Sequence, residues 1–324
     1  MIITRTPYRV SLFGGGTDYP SWYKEHGGSV LTSTIDRYCY LSARYMPAFL
    51  GFKYNACWSK MERVNRLDEL IHSGIRGCLQ YMGVDEGFEV NHAGDLPARS
   101  GLGSSSAFTV GMLHALHALQ GRHVSKSRLA REAIEVEQVV LKETVGIQDQ
   151  IQCAHGGFNV IDIHRDGEYT IRPVVFRRGR KVALEGNLML FFTGLQRNSS
   201  EIADAQVSNI DRKEYELKAI QAIVPKALEA ITNGNLFDVG FLLHESWMLK
   251  RELSDKVSNK EIDGLYTAAR EAGAIGGKLL GAGGGGFFLF YVPEDRHASV
   301  REAMGGLHDI PFKFENGGSQ IVLS

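Results

Sequence analysis

Hydrophobic and polar positions alternate through MIITRTPYRVSLF and again through SVLTSTIDRYCYLSARY, and β-branched residues recur in both runs, so each predicts a strand. The period then changes. In RLDELIHSGIRGCLQYMG the residues Leu67, Leu70, Ile71, Ile75 and Leu79 recur at helical spacing. A strand, FEVNHAG, leads into a loop of small residues and a helix over about 105–120, closed by Gly121. Ser125 is placed to cap the next helix, whose Leu129, Ala133, Val136 and Val140 fall on one face. After GIQDQ the pattern predicts strands at GGFNVIDIH, YTIRPVVF and LMLFFTG. Residues 202–272 read as helix, with Ser258 as the cap of one segment. The end comprises GGKLLGAGGGG, the strand FFLFYVP, a helix near 298–307 and the strand IPFKFE.

Strands and helices mix without a regular βαβ period, which predicts an α+β protein in two halves. The seam falls near RRGRKVALEGN, giving domains 1–180 and 181–324. The basic residues from Arg177 to Lys181 are of a kind that binds anions, but a solvated turn is the simpler reading. Of 324 residues, 44% are hydrophobic and 23% charged, as in ordinary globular proteins. A formal net charge of -1 gives no electrostatic reason to expect nucleic acid or an anionic membrane. The apolar run FFLFYV is far short of a membrane span, and the N-terminus lacks the apolar stretch of a signal peptide. Cys39, Cys57, Cys78 and Cys153 form no CxxC pair, which argues against a disulfide framework or a zinc site and fits a reducing cytoplasm. A soluble cytoplasmic protein is expected, and assembly into a homo-oligomer stays open.

Glycine alters this picture, because its 37 residues are clustered. Three stretches stand out: FGGGTD, ARSGLGSSSAF and GAGGGGF. Small residues opening a helix present unpaired N–H groups and the positive end of a dipole, which suits phosphate, and a serine hydroxyl there can ligate magnesium. The plainer alternative is a serine-capped helix after a turn. No GxxxxGK[ST] occurs, so this is not a Walker-type loop. Gly281, Gly283 and Gly286 satisfy GxGxxG, but a strand follows them where a dinucleotide-binding fold needs a helix. His114 and His117 lack a third ligand at metal spacing, and Trp58 and Trp247 are assigned to packing before adenine stacking.

Taken together, TPYRVSLFGGGTDYP, PARSGLGSSSA and KLLGAGGGGF make the chain resemble the GHMP sugar and metabolite kinases over its whole length. Within that family it is most similar to the D-glycero-D-manno-heptose 7-phosphate kinases, which share GGGTDYPSWYKEHGGSVLTSTIDRY, VGIQDQ with GGFNVI soon after, and GGKLLGAGGGGF. Galactokinase-like chains carry a Glu-His pair in place of Gly15 and Gly16, which disfavours galactose. The resemblance implies a two-domain fold, ribosomal protein S5 domain 2-like in its N-terminal half and ferredoxin-like in its C-terminal half. It implies an ATP- and Mg2+-dependent kinase acting on the anomeric hydroxyl of a heptose 7-phosphate, on the route to GDP-heptose and surface polysaccharide. Another sugar kinase, for L-fucose or mannose, and a non-catalytic sugar sensor are the alternatives.

By the same resemblance, Pro97, Ser100, Gly101, Leu102, Gly103, Ser104, Ser105 and Ser106 surround the ATP phosphates. Asp149 is the catalytic base and Arg9 the basic residue beside the acceptor. Glu137, rather than Glu132, Glu135 or Glu143, completes the magnesium site with Ser106. Gly14, Gly15, Gly16, Thr17 and Asp18 face the sugar, and Gly283 and Gly284 close the opposite wall, with Lys278 near phosphate. A sugar already phosphorylated calls for one more cation; Arg37, Arg44 and Lys53 are the candidates, with Arg99 serving ATP.

Overall fold

A computed structural model describes residues 1–98, 100–195 and 199–324. The two alternating runs become the long strands β1 (Ile2–Phe13) and β2 (Gly28–Tyr45), with the short helix α1 (Pro20–His26) between them. β3 (Tyr54–Cys57), β4 (Met61–Val64), α2 (Ser73–Tyr81) and β5 (Phe88–Gly94) follow. α3 (Ser104–Leu119), α4 (Lys126–Glu135) and α5 (Gln148–His155) precede β6 (Phe158–Ile163) and β7 (Tyr169–Pro173). The second half runs α6 (Arg180–Gly186), β8 (Leu188–Phe192), α7 (Ser199–Ser208), α8 (Glu214–Thr232), α9 (Phe237–Arg251) and α10 (Lys260–Glu271). It ends β9 (Gly276–Leu279), β10 (Phe287–Tyr291), α11 (His297–Ala303), β11 (His308–Asp309), β12 (Phe314–Glu315) and β13 (Gln320–Leu323).

Among the described residues, nine strands form one sheet along the path β13-β1-β2-β5-β3-β4, with β6, β7 and β12 joined to it through β2. β2 is long enough to serve two partners: Gly28 to Ser33 pair with β6, and Cys39 to Tyr45 pair with β5. The second sheet has the order β11-β8-β10-β9, all antiparallel. With a helical connection from β8 to β9 and α11 between β10 and β11, this is the ferredoxin-like arrangement expected for the second half. β12 and β13 return to the first sheet, so sheet membership does not follow the division at residue 180. One core lies under the first sheet and α2 to α5, and a second packs Trp247, Tyr266, Phe288 and Phe290 between the second sheet and its helices. No described helix is long and apolar enough to cross a membrane.

Four local readings are corrected. The helix expected over 66–83 is broken, because the Glu62 carboxylate accepts the backbone N–H groups of Ile71 and His72. Ile71 is left exposed, and α2 starts afresh with His72 Nδ1 accepting the Ile75 N–H. α5 fills the interval before the first expected strand, where no element was expected. Its Gln148, Gln150 and Gln152 are buried, so the polar pattern hides a packed helix. Asn259, not Ser258, caps α10; the Ser258 hydroxyl donates to Asp263 instead. In the basic stretch at the seam, Arg177 and Arg178 are exposed in a turn as expected, but the Arg180 guanidinium donates to the carbonyls of Ala230, Ile231 and Gly234 at the end of α8.

Candidate active site

The strand register of β1 slips against β2 between Pro7 and Arg9 and again between Ser11 and Phe13. Such irregularities re-aim side chains, and Arg9 lies between them. Its Nε and Nη2 donate to the two carboxylate oxygens of Asp149, each at 2.6 Å, which makes a planar fork. Nη1 donates to the Gly101 carbonyl at 2.7 Å, and the Arg9 backbone N–H to Leu102 O at 3.0 Å. One residue therefore joins the phosphate-type loop to the first turn of α5. Burial acts against the guanidinium charge, but Asp149 outweighs it and holds Arg9 more firmly protonated than usual. The Arg9 side chain is 5% exposed and that of Asp149 24%, so the carboxylate is the member of the pair that a ligand reaches.

Gly103 precedes α3 with φ 71°, and a Cβ there would lie 3.0 Å from Arg9 Cγ and 3.4 Å from Asp149 Oδ2. Ser104, Ser105 and Ser106 form the first turn of α3, whose N–H groups have no intrahelical acceptor. Pro97 is exposed at the start of the loop, Ser100 is buried, and Leu102 is a core residue that contributes only its carbonyl here. Arg99 lies outside the described residues. The glycine clusters owe part of their composition to each other. A Cβ on Gly101 would meet Leu280 O at 2.5 Å, one on Gly281 would meet Gly101 Cα at 2.5 Å, and Phe287 N donates to Ser100 O. The two loops thus pack backbone on backbone.

Behind the serines, Glu137 is fully buried in a π-helical turn, Val136–Val140. Its Oε2 accepts from Ser106 Oγ at 2.9 Å and from Gln150 Nε2, while Oε1 is buried without a partner. Burial, then the charge of Glu143, pushes its carboxyl up to about 8. An orphaned buried carboxylate oxygen beside a serine hydroxyl is a donor set that fits a hard divalent cation. The neighbouring glutamates are engaged elsewhere: Glu132 with His117 and Arg128, and Glu135 with Tyr81.

Asp18 lies close enough to the Arg9–Asp149 pair for their charges to act on one another. Its carboxylate accepts the N–H groups of Gly16 at 3.0 Å and Gln148 at 3.4 Å. Burial and then the charge of Asp149 push it up from the usual carboxylate range, against those hydrogen bonds. A Cβ on Gly146 would fall 1.9 Å from Asp18 Oδ2, so the bare glycine makes room for this carboxylate. Thr17 spends its hydroxyl on the turn, donating to Gly14 O at 2.8 Å and accepting from Ser29 N at 3.2 Å. Gly14 faces Ser29 O, Gly16 faces Leu217, and Gly15 meets only Ser11 Oγ, at 3.2 Å. Gly283 and Gly284 pack on Val257 through close approach and a backbone hydrogen bond.

Two buried lysines complete the surroundings. Lys278 donates to Leu12 O at 3.1 Å, and Lys250 to Leu279 O at 3.0 Å and to Gly281 O. The cations proposed for an acceptor phosphate are committed elsewhere: Arg37 to Asp36, Arg44 to Glu89 and Lys53 to Asp85. Trp247 belongs to the second core, and Trp58 Nε1 donates to Glu62 Oε1 at 2.7 Å. His114 bonds Ser319, and His117 bonds Glu132. Sequence reasoning missed Lys250, Gln150, Gly146 and Ser11. Gly146 and Gln150 flank Asp149 inside VGIQDQ, which was the available signal; Lys250, far along the helical half, carried none.

Known proteins are similar to the chain over nearly its whole length. Residues 69–157 match the N-terminal domain of the GHMP kinases and residues 227–307 their C-terminal domain. A D-glycero-alpha-D-manno-heptose 7-phosphate kinase of Campylobacter jejuni subsp. jejuni serotype O:2 is 29% identical over 97% of each chain. A galactokinase of Pyrococcus furiosus is 25% identical over 94% of this chain and 92% of its own. Among solved structures, a D-glycero-D-manno-heptose 1-phosphate kinase from Bacteriodes thetaiotaomicron shares the fold with a TM-score of 0.81 at 23% identity, covering 100% of this chain and 99% of that one.

Proposed function

We propose that this chain, which belongs to the GHMP kinases, transfers the γ-phosphoryl group of ATP to the anomeric hydroxyl of D-glycero-D-manno-heptose 7-phosphate, giving the 1,7-bisphosphate. The observation that carries the reading is the Arg9–Asp149 fork, fastened through Gly101 and Leu102 to the loop that opens α3. The likeness to the Campylobacter jejuni enzyme over 97% of both chains supports the choice of acceptor.

In this reading the N–H groups at the start of α3 hold the ATP phosphates at the positive end of the helix. The attacking hydroxyl oxygen bonds to the γ-phosphorus, the bond from that phosphorus to the bridging oxygen breaks, and ADP leaves. The hydroxyl proton passes to the Asp149 carboxylate. Arg9 orients Asp149, and its charge lies beside the equatorial oxygens of the transferring group. Asp18 orients sugar hydroxyls from the acceptor side. Ser106 and Glu137 would hold Mg2+, which supplies charge neutralisation of the phosphates and a template for their geometry. ADP release measured from ATP with a panel of sugars and sugar phosphates tests the reading. Heptose 7-phosphate is expected to give the highest kcat/KM; a free hexose that exceeds it overturns the acceptor, and no sugar-dependent release overturns the kinase.

A further inference from the structure

Lys278 and Lys250 meet at the junction of β9, α9 and β1, and among the described residues no carboxylate pairs with either. Lys278 is 3% exposed and Lys250 8%. Gly276 turns its missing side chain toward Gly240 and His244 of α9, so Lys278, two residues on, stands on that same face. An ammonium has three donors, and Lys278 uses one, on the Leu12 carbonyl where β1 slips register. Lys250 uses two, both on carbonyls at the start of the glycine turn. The charged groups whose fields reach the pair are Arg9, which adds a third cation, and Asp18, whose carboxylate is already engaged by Gly16 and Gln148. Ser11 Oγ is buried without a partner two residues from Arg9 on β1. Burying ammonium groups against another cation, with carbonyls as their acceptors among the described residues, costs free energy that an incoming anion returns.

We propose that Lys278 and Lys250, with the Ser11 hydroxyl, receive the phosphate that the acceptor sugar carries into the site and thereby select a sugar phosphate over a free sugar. This rests on the kinase reading above. Burial pushes Lys278 down to about 7 and Lys250 well below its ordinary value, so both gain a proton most readily when a dianion arrives. Arg37, Arg44 and Lys53 are held by their own carboxylates, and each is less suited to the task.

The test compares kcat/KM for heptose 7-phosphate and for the same heptose without phosphate, in wild type, Lys278→Met, Lys250→Met and Ser11→Ala. One charge-assisted contact supports a wild-type preference of about tenfold or more for the phosphorylated sugar. Lys278→Met and Lys250→Met should each reduce that preference about tenfold through KM, and Lys278→Arg should restore part of it. Thermal melting and titration with a fluorescent ATP analogue check that each variant is folded and binds nucleotide. Should the lysine variants not fold, Ser11→Ala decides, with an expected loss of preference of about threefold or more. An unchanged preference in folded variants, or an equal fall in kcat on both acceptors, overturns the lysine assignment and leaves the kinase reading intact. Absence of sugar-dependent ADP release in wild type overturns both.

Discussion

Replacing Asp149 by Asn keeps the shape of the side chain and removes its charge and its capacity to accept a proton. Two 2.6 Å hydrogen bonds join this carboxylate to Arg9. An amide offers one acceptor oxygen, and its NH2 confronts a guanidinium N–H, so one arm of the fork opens. A hydrogen bond to a charged group is worth about 1.5–3 kcal/mol. Arg9 is buried but Asp149 is 24% exposed, so solvent screens the pair and the lower figure, about 1.5 kcal/mol, is expected. At about 2–4 °C per kcal/mol that lowers the melting temperature by roughly 3–6 °C. Loss of the proton acceptor should reduce kcat by about 10²–10⁴, or roughly 3–5 kcal/mol of barrier. ATP affinity should hardly change, because the N–H groups of α3 do not involve Asp149. Coupled ADP release at saturating substrates, with scanning calorimetry and a fluorescent ATP titration alongside, separates the effects. If the melting temperature falls as stated and kcat stays within a factor of a few of wild type, Asp149 anchors Arg9 and accepts no proton, and the mechanism above is wrong.

Ser106→Ala removes the hydroxyl that donates to Glu137, so it should raise the magnesium concentration needed for half-maximal activity, whereas Ser105→Ala, at an exposed position, should cost about 1 kcal/mol at most; coincident magnesium titrations contradict the metal placement. Gly103→Val places a branched side chain at φ 71° against Arg9 and Asp149, and should abolish nucleotide binding; a variant that binds ATP normally removes this loop from the phosphate site. Lys278, held down to about 7 in the free protein, must be protonated to hold a phosphate. KM for the sugar phosphate should therefore rise as pH climbs above about 7, while KM for the free sugar changes little; parallel profiles for the two acceptors contradict it.

β1 and β2 were legible from the alternation of apolar with polar residues and their β-branched side chains, although both faces are buried over Thr6 to Phe13 and Val30 to Ile35. The loop of small residues was legible as the opening of a helix, and Gly103 with three serines does stand at the start of α3. α5 was not, because its buried Gln150 and Gln152 are held by hydrogen bonds to Glu137 and the Gly157 carbonyl, and hydrophobic periodicity is blind to that. The break before α2 depends on Glu62, a contact between separate segments. The glycine motifs were read as surfaces for ligands, yet Gly101 and Gly281 are bare chiefly so that the two loops can touch. Lys250 shows the same limit: only the docking of α9 on β9 brings it to Gly281.

The central claim is phosphoryl transfer from ATP to the anomeric oxygen of a sugar that keeps its original phosphate. Phosphorus NMR of a reaction containing ATP, magnesium and D-glycero-D-manno-heptose 7-phosphate tests it most directly. The account predicts ADP together with a new sugar phosphorus coupled to the anomeric proton, formed in equal amount, with the resonance at C7 preserved. ADP at no more than the level of a sugar-free control, or a new phosphate on any other carbon, contradicts it.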